Sequence, residues 1–420
     1  MVAYTFLHYR SSLTGMSSQL FTSYTSRSVV LKNRIGVSPM CQYSAEDGMP
    51  NTWHTVHLGS RAVGGAGLVF VEAAAVAADA RISPADIGIW NDQQAAAFLP
   101  IAQFIKSQGA APGIQLAHAG RKGSTQVPWV GRKAVPAREG GWATYGPSAL
   151  SFNDVYTEPQ AMSAADVDRI IDEFVQATRR SVKAGFEVLE LHMGHGYLLH
   201  QFLSPLANQR DDEYGGSFEH RTAFARELVA AVRAVWPEHL PLFVRLSVTD
   251  WLDNGWDVAQ SIRLSAALAK LGVDVIDCSS GSVVPESRVV QAPGYQVPLS
   301  AAIRKEAAVA TAAVGKITDA RQAESILEAG EADLIFMARG LLVDPYWPLR
   351  AQQELEGDAV WPVQYQRAVN PNAPSYFVPR VLSVSGLQHP RHARWRADQR
   401  RRAGRRSHLL RLGTGCACGW

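Results

Sequence analysis

Short apolar runs rich in β-branched residues recur along the chain, and most are followed by longer stretches whose apolar positions fall three and four apart. The runs predict buried strands at 34–40, 68–73, 113–117, 186–192, 242–246, 273–278, 310–314 and 334–337. The longer stretches predict amphipathic helices. In 163–184, Ser163 is placed to cap, and Val167, Ile170, Ile171, Phe174 and Thr178 share one face. Spans 219–235 and 319–328 carry the same pattern less cleanly. Strands alternating with helices predict an α/β protein with a parallel sheet, and eight is the number that closes a (βα)8 TIM barrel.

Two segments depart from that rhythm. Residues 120–161 are rich in Gly, Pro and aromatics and show little periodicity. A long insertion at the carboxyl end of the third strand predicts a lid. From about Asn370 the alternation stops and arginines cluster, which predicts a disordered tail. The expected organisation is an N-terminal extension over 1–19, a barrel over 20–369 and an Arg-rich tail over 370–420.

Charge sharpens this division. The chain has a formal net charge of +3, yet from Ser375 to Trp420 it holds ten Arg, no Lys and one acid. That local surplus of about nine positive charges leaves the first 374 residues with about six negative ones. The body is acidic, and a tail without aromatic interleaving or heptads gives no expectation of specific nucleic-acid binding. No apolar run is long enough to predict a membrane span. The four cysteines, Cys41, Cys278, Cys416 and Cys418, form no C-x-x-C pair, so a disulfide framework or four-thiolate metal site is not expected. A reduced, cytoplasmic protein is the expectation. The leading stretch, whose first acid is Glu46, faintly suggests an organellar leader as the alternative. An extension ahead of an internal start at Met16 is the plainer reading.

The chemistry concentrates at strand ends. Residues 189–197 read Leu-Glu-Leu-His-Met-Gly-His-Gly-Tyr, placing two imidazoles and a phenol where an apolar strand gives way to glycines. The spacing of His192 and His195 resembles a metal pair, but it falls at a strand end with no neighbouring third ligand. The stronger reading is a pair of neutral donors polarising a carbonyl oxygen, with Tyr197 as proton donor. Ser38-Pro39-Met40-Cys41-Gln42-Tyr43 ends the first strand and points Cys41 and Tyr43 into the same mouth. Gly315, Ala338 and Arg339 follow the seventh and eighth strands, where barrels commonly hold a phosphate. Gln115 and Arg245 end the third and fifth strands and suit a heterocycle's amide edge and the charge of a reduced ring. Together these fit flavin mononucleotide (FMN).

Several long motifs occur in a characteristic order: Pro39-Met-Cys-Gln-Tyr43, Gln115-Leu-Ala-His-Ala-Gly-Arg-Lys122, His192-Met-Gly-His-Gly-Tyr197 and Asn208-Gln-Arg-Asp-Asp-Glu-Tyr-Gly-Gly-Ser217. In these the chain resembles the Old Yellow Enzyme family, specifically its bacterial, thermophilic-like ene-reductase branch. The resemblance implies FMN held by Ser38, Pro39, Met40, Cys41, Ala73, Gln115, Arg245, Gly315, Ala338 and Arg339. It implies NADPH or NADH as hydride donor and an enone-type substrate, nitro compounds included, whose oxygen lies between His192 and His195. Tyr43 would bind substrate, Cys41 would tune the flavin's potential, and Tyr197 would protonate the alkene carbon. Arg367 matches an arginine inserted into a neighbouring subunit's site, implying a homodimer or homotetramer. Two positions depart from the family pattern: Ala338 replaces a glycine beside the phosphate, and His220 replaces an asparagine. The competing reading is a catalytically impaired barrel that binds partners through its basic tail.

Overall fold

The computed structural model describes residues 18–369 except Arg288 and Val290. The expected disordered tail and nearly all of the N-terminal extension lie outside the described residues. Eight parallel strands close into a barrel in sequence order: β1 (Ile35–Val37), β2 (Leu68–Ala75), β3 (Ala111–Ala117), β4 (Val188–Met193), β5 (Leu242–Ser247), β6 (Val275–Ser279), β7 (Ala310–Ala313) and β8 (Leu334–Met337). β8 pairs with β1 through Ile335 and Ile35, completing the ring. Helices follow the strands as α1 (Thr52–Val63), α2 (Asp92–Ser107), α3 (Ala164–Lys183), α4 (Ala223–Arg233), α5 (Val258–Lys270), α6 (Val297–Glu306), α7 (Ala320–Glu328) and α8 (Trp347–Glu356). The chain is thus a (βα)8 TIM barrel. A second compact unit begins at Trp361; its described part, Trp361–Val369, contains the short helix Gln366–Val369, which carries Arg367.

Local chemistry fixes the helix starts. Ser163 Oγ accepts from Asp166 N while the Asp166 carboxylate accepts from Ser163 N, a reciprocal cap on α3. Asn51, Asn91, Asp257 and Asp319 cap four other helices through their side chains. The helix expected over 219–235 is instead broken at Thr222 into Phe218–Arg221 and α4. The Thr222 hydroxyl donates back to the carbonyls of Phe218 and Glu219, a bond that competes with helix continuation.

The amino end of the barrel is filled by aromatic rings. Phe70, Phe243 and Phe336 are almost fully buried, with ring centroids 5.8–6.1 Å apart along Phe336–Phe70–Phe243. Glycine makes room for them: a Cβ on Gly36 would lie 2.3 Å from Phe336, and one on Gly113 would lie 2.6 Å from Phe70. A hairpin, Tyr24–Ser26 with Val29–Leu31, lays Val29 and Leu31 against this cluster. The opposite, carboxyl end carries the polar side chains.

The insertion after β3 folds back on itself. Thr125 and Ala134 form an antiparallel bridge, and Gln126 N donates to Lys133 O at 2.8 Å. The tip between them carries the 3-10 turn Pro128–Val130, then Gly131 and Arg132, both with positive φ.

Candidate active site

Strand register brings distant residues side by side. His192 on β4 pairs with Arg245 on β5, which pairs with Asp277 on β6. Ala73 on β2 pairs with Gln115 on β3, which pairs with Glu190 on β4. Pro39, Met40, Cys41 and Tyr43 leave β1 beside Ala338, which leaves β8. With His192, His195, Tyr197, Gln115, Arg245 and Ala73 these residues line one cleft, partly open to solvent.

The donor cluster is tightly set. His195 Nδ1 lies 3.3 Å from His192 Nε2, and His195 Nε2 lies 2.6 Å from Ser279 Oγ. The Tyr197 ring packs edge-on against His192 with centroids 5.2 Å apart. His195 itself adopts a left-handed φ of 56°. That conformation is uncommon for a residue with a side chain, and two hydrogen bonds and a following glycine support it. Ser247 Oγ accepts from His195 N, Lys122 Nζ donates to His195 O, and Gly196 provides the next turn with φ 72°. A Cβ on Gly196 would meet the Ser282 carbonyl oxygen at 2.1 Å, so the motif needs glycine there.

Burial decides the protonation states. It depresses both imidazoles well below their usual value, with the Arg245 charge acting in the same direction. It pushes Tyr197 and Tyr43 well above the usual phenol value and raises the Cys41 thiol, toward which Asp86 and Glu72 also contribute. Around neutral pH the cleft therefore presents neutral imidazole, phenol and thiol rather than ions. The sign gives an expectation: the histidines are already unprotonated above pH 6.5 and the phenols stay protonated past pH 10. On the enone reduction that the sequence resemblance implies, reoxidation of the reduced protein by an enone should be flat from about pH 6.5 to 9 in stopped-flow, and an inflection near 6.5 would mean that an imidazole in the site titrates normally.

Below the cleft lies a layer of buried ionisable groups. Arg245 Nε stands 3.2 Å from Asp277 Oδ2, at an angle too poor for a hydrogen bond, and Gln115 Nε2 donates to Glu190 Oε1 at 2.7 Å. Burial raises both carboxyls, and Arg245 opposes it. At the side, β2 bulges at Glu72, between Val71 and Ala73. The bulge turns Glu72 to accept from Gln42 N and to meet His54 Nε2 at 3.0 Å, which pins the loop that aims Tyr43.

At the ends of β7 and β8, Gly315 has φ 127° and packs under Gln296, whose Nε2 donates to Val314 O. A Cβ on Gly315 would lie 3.0 Å from Gln296 Nε2. Arg339 is exposed and donates to Gln291 Oε1 at 3.3 Å. Ala338 has φ −105°, so its side chain meets no left-handed penalty where a glycine was expected. His220 is exposed on the short helix Phe218–Arg221, and nothing in the structure gives its side chain a role in the site.

Of the sequence-identified residues, Ser38, Gly315 and Arg339 stand beside the cleft rather than in its lining. Sequence reasoning missed four contributors: Arg132, which lines the cleft from the insertion, Ser247 and Ser279, which hold His195, and the Glu190–Asp277 layer. The last had a signal, because carboxylates inside apolar strands are anomalous in a barrel. Among the described residues no cluster of His, Cys, Asp or Glu suits a metal ion.

The residues present fit a flavin. Ser38 Oγ is buried without a hydrogen-bond partner among the described residues, and Arg245, whose Nε has none either, lines the cleft. A closed parallel barrel that gathers neutral donors and a buried arginine at its carboxyl end defines a cofactor-dependent barrel enzyme. The chain belongs to the NADH:flavin oxidoreductase / NADH oxidase family, whose model matches residues 19–358. It is 46% identical over 354 residues to an NADPH dehydrogenase of Geobacillus sp. (strain WCH70), covering 84% of this chain and 99% of that one. Among solved structures, morphinone reductase in complex with tetrahydroNAD matches with TM-score 0.68 and 26% identity, over 81% of this chain and 92% of that one. The old yellow enzyme homologue from Zymomonas mobilis matches with TM-score 0.67 and 26% identity, over 82% and 94%. The resemblance to Old Yellow Enzymes therefore holds, and the chain is a flavin oxidoreductase with FMN as cofactor and a nicotinamide as donor.

Proposed function

We propose that this enzyme reduces carbon–carbon double bonds conjugated to a carbonyl, and related nitroalkenes, in alternating half-reactions with NADPH or NADH. The observation that carries this reading is the convergence of His192, His195, Tyr197 and Tyr43, all neutral donors, on one cleft. When bound, FMN supplies the hydride chemistry, taking hydride from the nicotinamide and passing it to the alkene. Ser38, Pro39, Met40, Cys41, Ala73 and Gln115 are proposed to hold its ring system, with Gly315, Ala338 and Arg339 at its phosphate.

The protein's own groups do the rest. His192 and His195 hold one carbonyl oxygen and draw electron density from the alkene, making its far carbon electrophilic. Tyr197 gives a proton to the near carbon, a role its raised pKa permits because it stays protonated. Tyr43 fixes the substrate. Arg245 offsets negative charge at the floor, and Asp277 beside it limits how much. Cys41 is half-buried, and its raised pKa keeps it a thiol rather than a thiolate, which suits tuning the cofactor and not attacking substrate. Arg367 is proposed to reach the cleft of a neighbouring copy in a homodimer or homotetramer. A cytoplasmic location completes the proposal. The binding-protein alternative places its function in the tail, and the intact donor cluster favours catalysis.

The test is anaerobic. Purified protein should be yellow, should bleach with NADPH and should regain colour when an enone is added. Tyr197→Phe should slow only the second step, by about 10²–10⁴-fold. Protein that takes up no FMN, or a Tyr197→Phe variant reoxidised at the normal rate, would contradict the proposal.

A further inference from the structure

The insertion after β3 places one cation in the wall of the cleft. Its paired arms, Thr125 to Ala134, return the chain so that Trp129 packs edge-on against Tyr43, with ring centroids 5.9 Å apart. Arg132 follows Gly131 in a left-handed conformation with φ 56°, which turns the side chain back toward the barrel. It is half-buried and lines the cleft together with Tyr43, Tyr197, His192 and His195. Its charge is felt at the reacting end: it opposes the upward shifts of Tyr43, Tyr197 and Cys41.

Charge balance gives this placement meaning. The cleft lining holds two arginines and, among the described residues, no carboxylate. Arg245 is buried at the floor with Asp277 3.2 Å away. The other liners are neutral. Arg132 thus adds positive potential at the mouth; Lys122, which lies over the Tyr197 ring, adds to it, and Asp86 opposes it. A guanidinium there suits a planar anion by paired N–H donation.

Resting on the ene-reductase reading above, we propose that Arg132 is a specificity-determining residue that binds a carboxylate on the substrate, so that the preferred acceptors are enones carrying a carboxylate a few bonds from the alkene. The competing anions are the phosphates of the nicotinamide donor. Arg132 acts beside Tyr43 and Tyr197, where the reacting atoms sit, whereas donor phosphates lie many bonds from the ring that delivers hydride.

Holoenzyme with FMN is compared on 4-oxopent-2-enoate and its methyl ester, which differ in one charge. The wild type should favour the acid in kcat/KM. Arg132→Gln should raise KM for the acid by about tenfold or more, as expected for loss of a charge-assisted contact, and raise KM for the ester by a clearly smaller factor. Arg132→Lys should keep part of the preference, Arg132→Glu should reverse it, and KM for NADPH should not move. Equal losses on acid and ester, an unmoved KM for the acid, or a raised KM for NADPH would each overturn the proposal. Calorimetric titration of oxidised holoenzyme with the saturated acid 4-oxopentanoate reads the contact without turnover. Tighter binding to wild type than to Arg132→Gln supports the proposal, and equal binding overturns it. If wild type reduces neither ester nor acid, the reductase reading fails while the calorimetry still decides the role of Arg132.

Discussion

Replacing both His192 and His195 with alanine is expected to slow enone reduction by about 10³-fold, with the loss in kcat as well as in kcat/KM. Their ring nitrogens lie 3.3 Å apart, close enough for both to address one oxygen in the proposed reaction, where negative charge would grow on that oxygen as hydride arrives. A donor that tightens as charge develops stabilises the transition state more than the ground state, which places the loss in kcat. Because the pair serves one oxygen, each single variant should approach the double, with non-additivity visible in a double-mutant cycle. Stopped-flow separates the steps: bleaching by NADPH should stay within a few-fold, and reoxidation by cyclohexenone should collapse. Reoxidation within threefold of wild type would remove both histidines from the chemistry. The two side chains are not structural plugs, since the fold of this loop depends on Ser247, Lys122 and Gly196 holding the backbone.

Phe70→Ala is expected to have the largest effect on stability, about 3–5 kcal/mol by urea denaturation. Phe70 is 1% exposed and lies between Phe336 and Phe243 over Gly113, inside a closed ring of strands. A barrel wall cannot collapse into the space left behind, so the cavity cost adds to the lost transfer energy. The midpoint should fall with the slope unchanged, and the donor cluster at the other end should keep its reoxidation rate in the surviving folded fraction. A loss under about 1 kcal/mol would mean that the rings at the amino end do not act as one packed core.

Much of this was legible in the chain. Fully buried parallel strands are predominantly apolar, and crossover helices are amphipathic, so alternation between the two patterns encodes the barrel directly. Catalytic groups in such folds follow strands, which is why His192, Cys41, Gln115 and Arg245 could be picked out at strand ends. The break at Thr222 was not legible, because a hydroxyl bonding back to the preceding turn leaves no mark on hydrophobic periodicity. Arg132 was not legible either. It lies in a segment without periodicity, and only the fold of the insertion turns it toward the cleft.

The sequence by itself determined the strand and helix succession, the family and the chemical types gathered at the barrel mouth, because each follows from local pattern or from contiguous motifs. Tertiary structure alone decided their charge state and alignment. Burial made His192 and His195 neutral and kept Tyr197 protonated, register set His192 beside Arg245 and Asp277, and a bulge at Glu72 aimed the Tyr43 loop. These properties depend on which groups are excluded from water together, and that is fixed only when eight strands close.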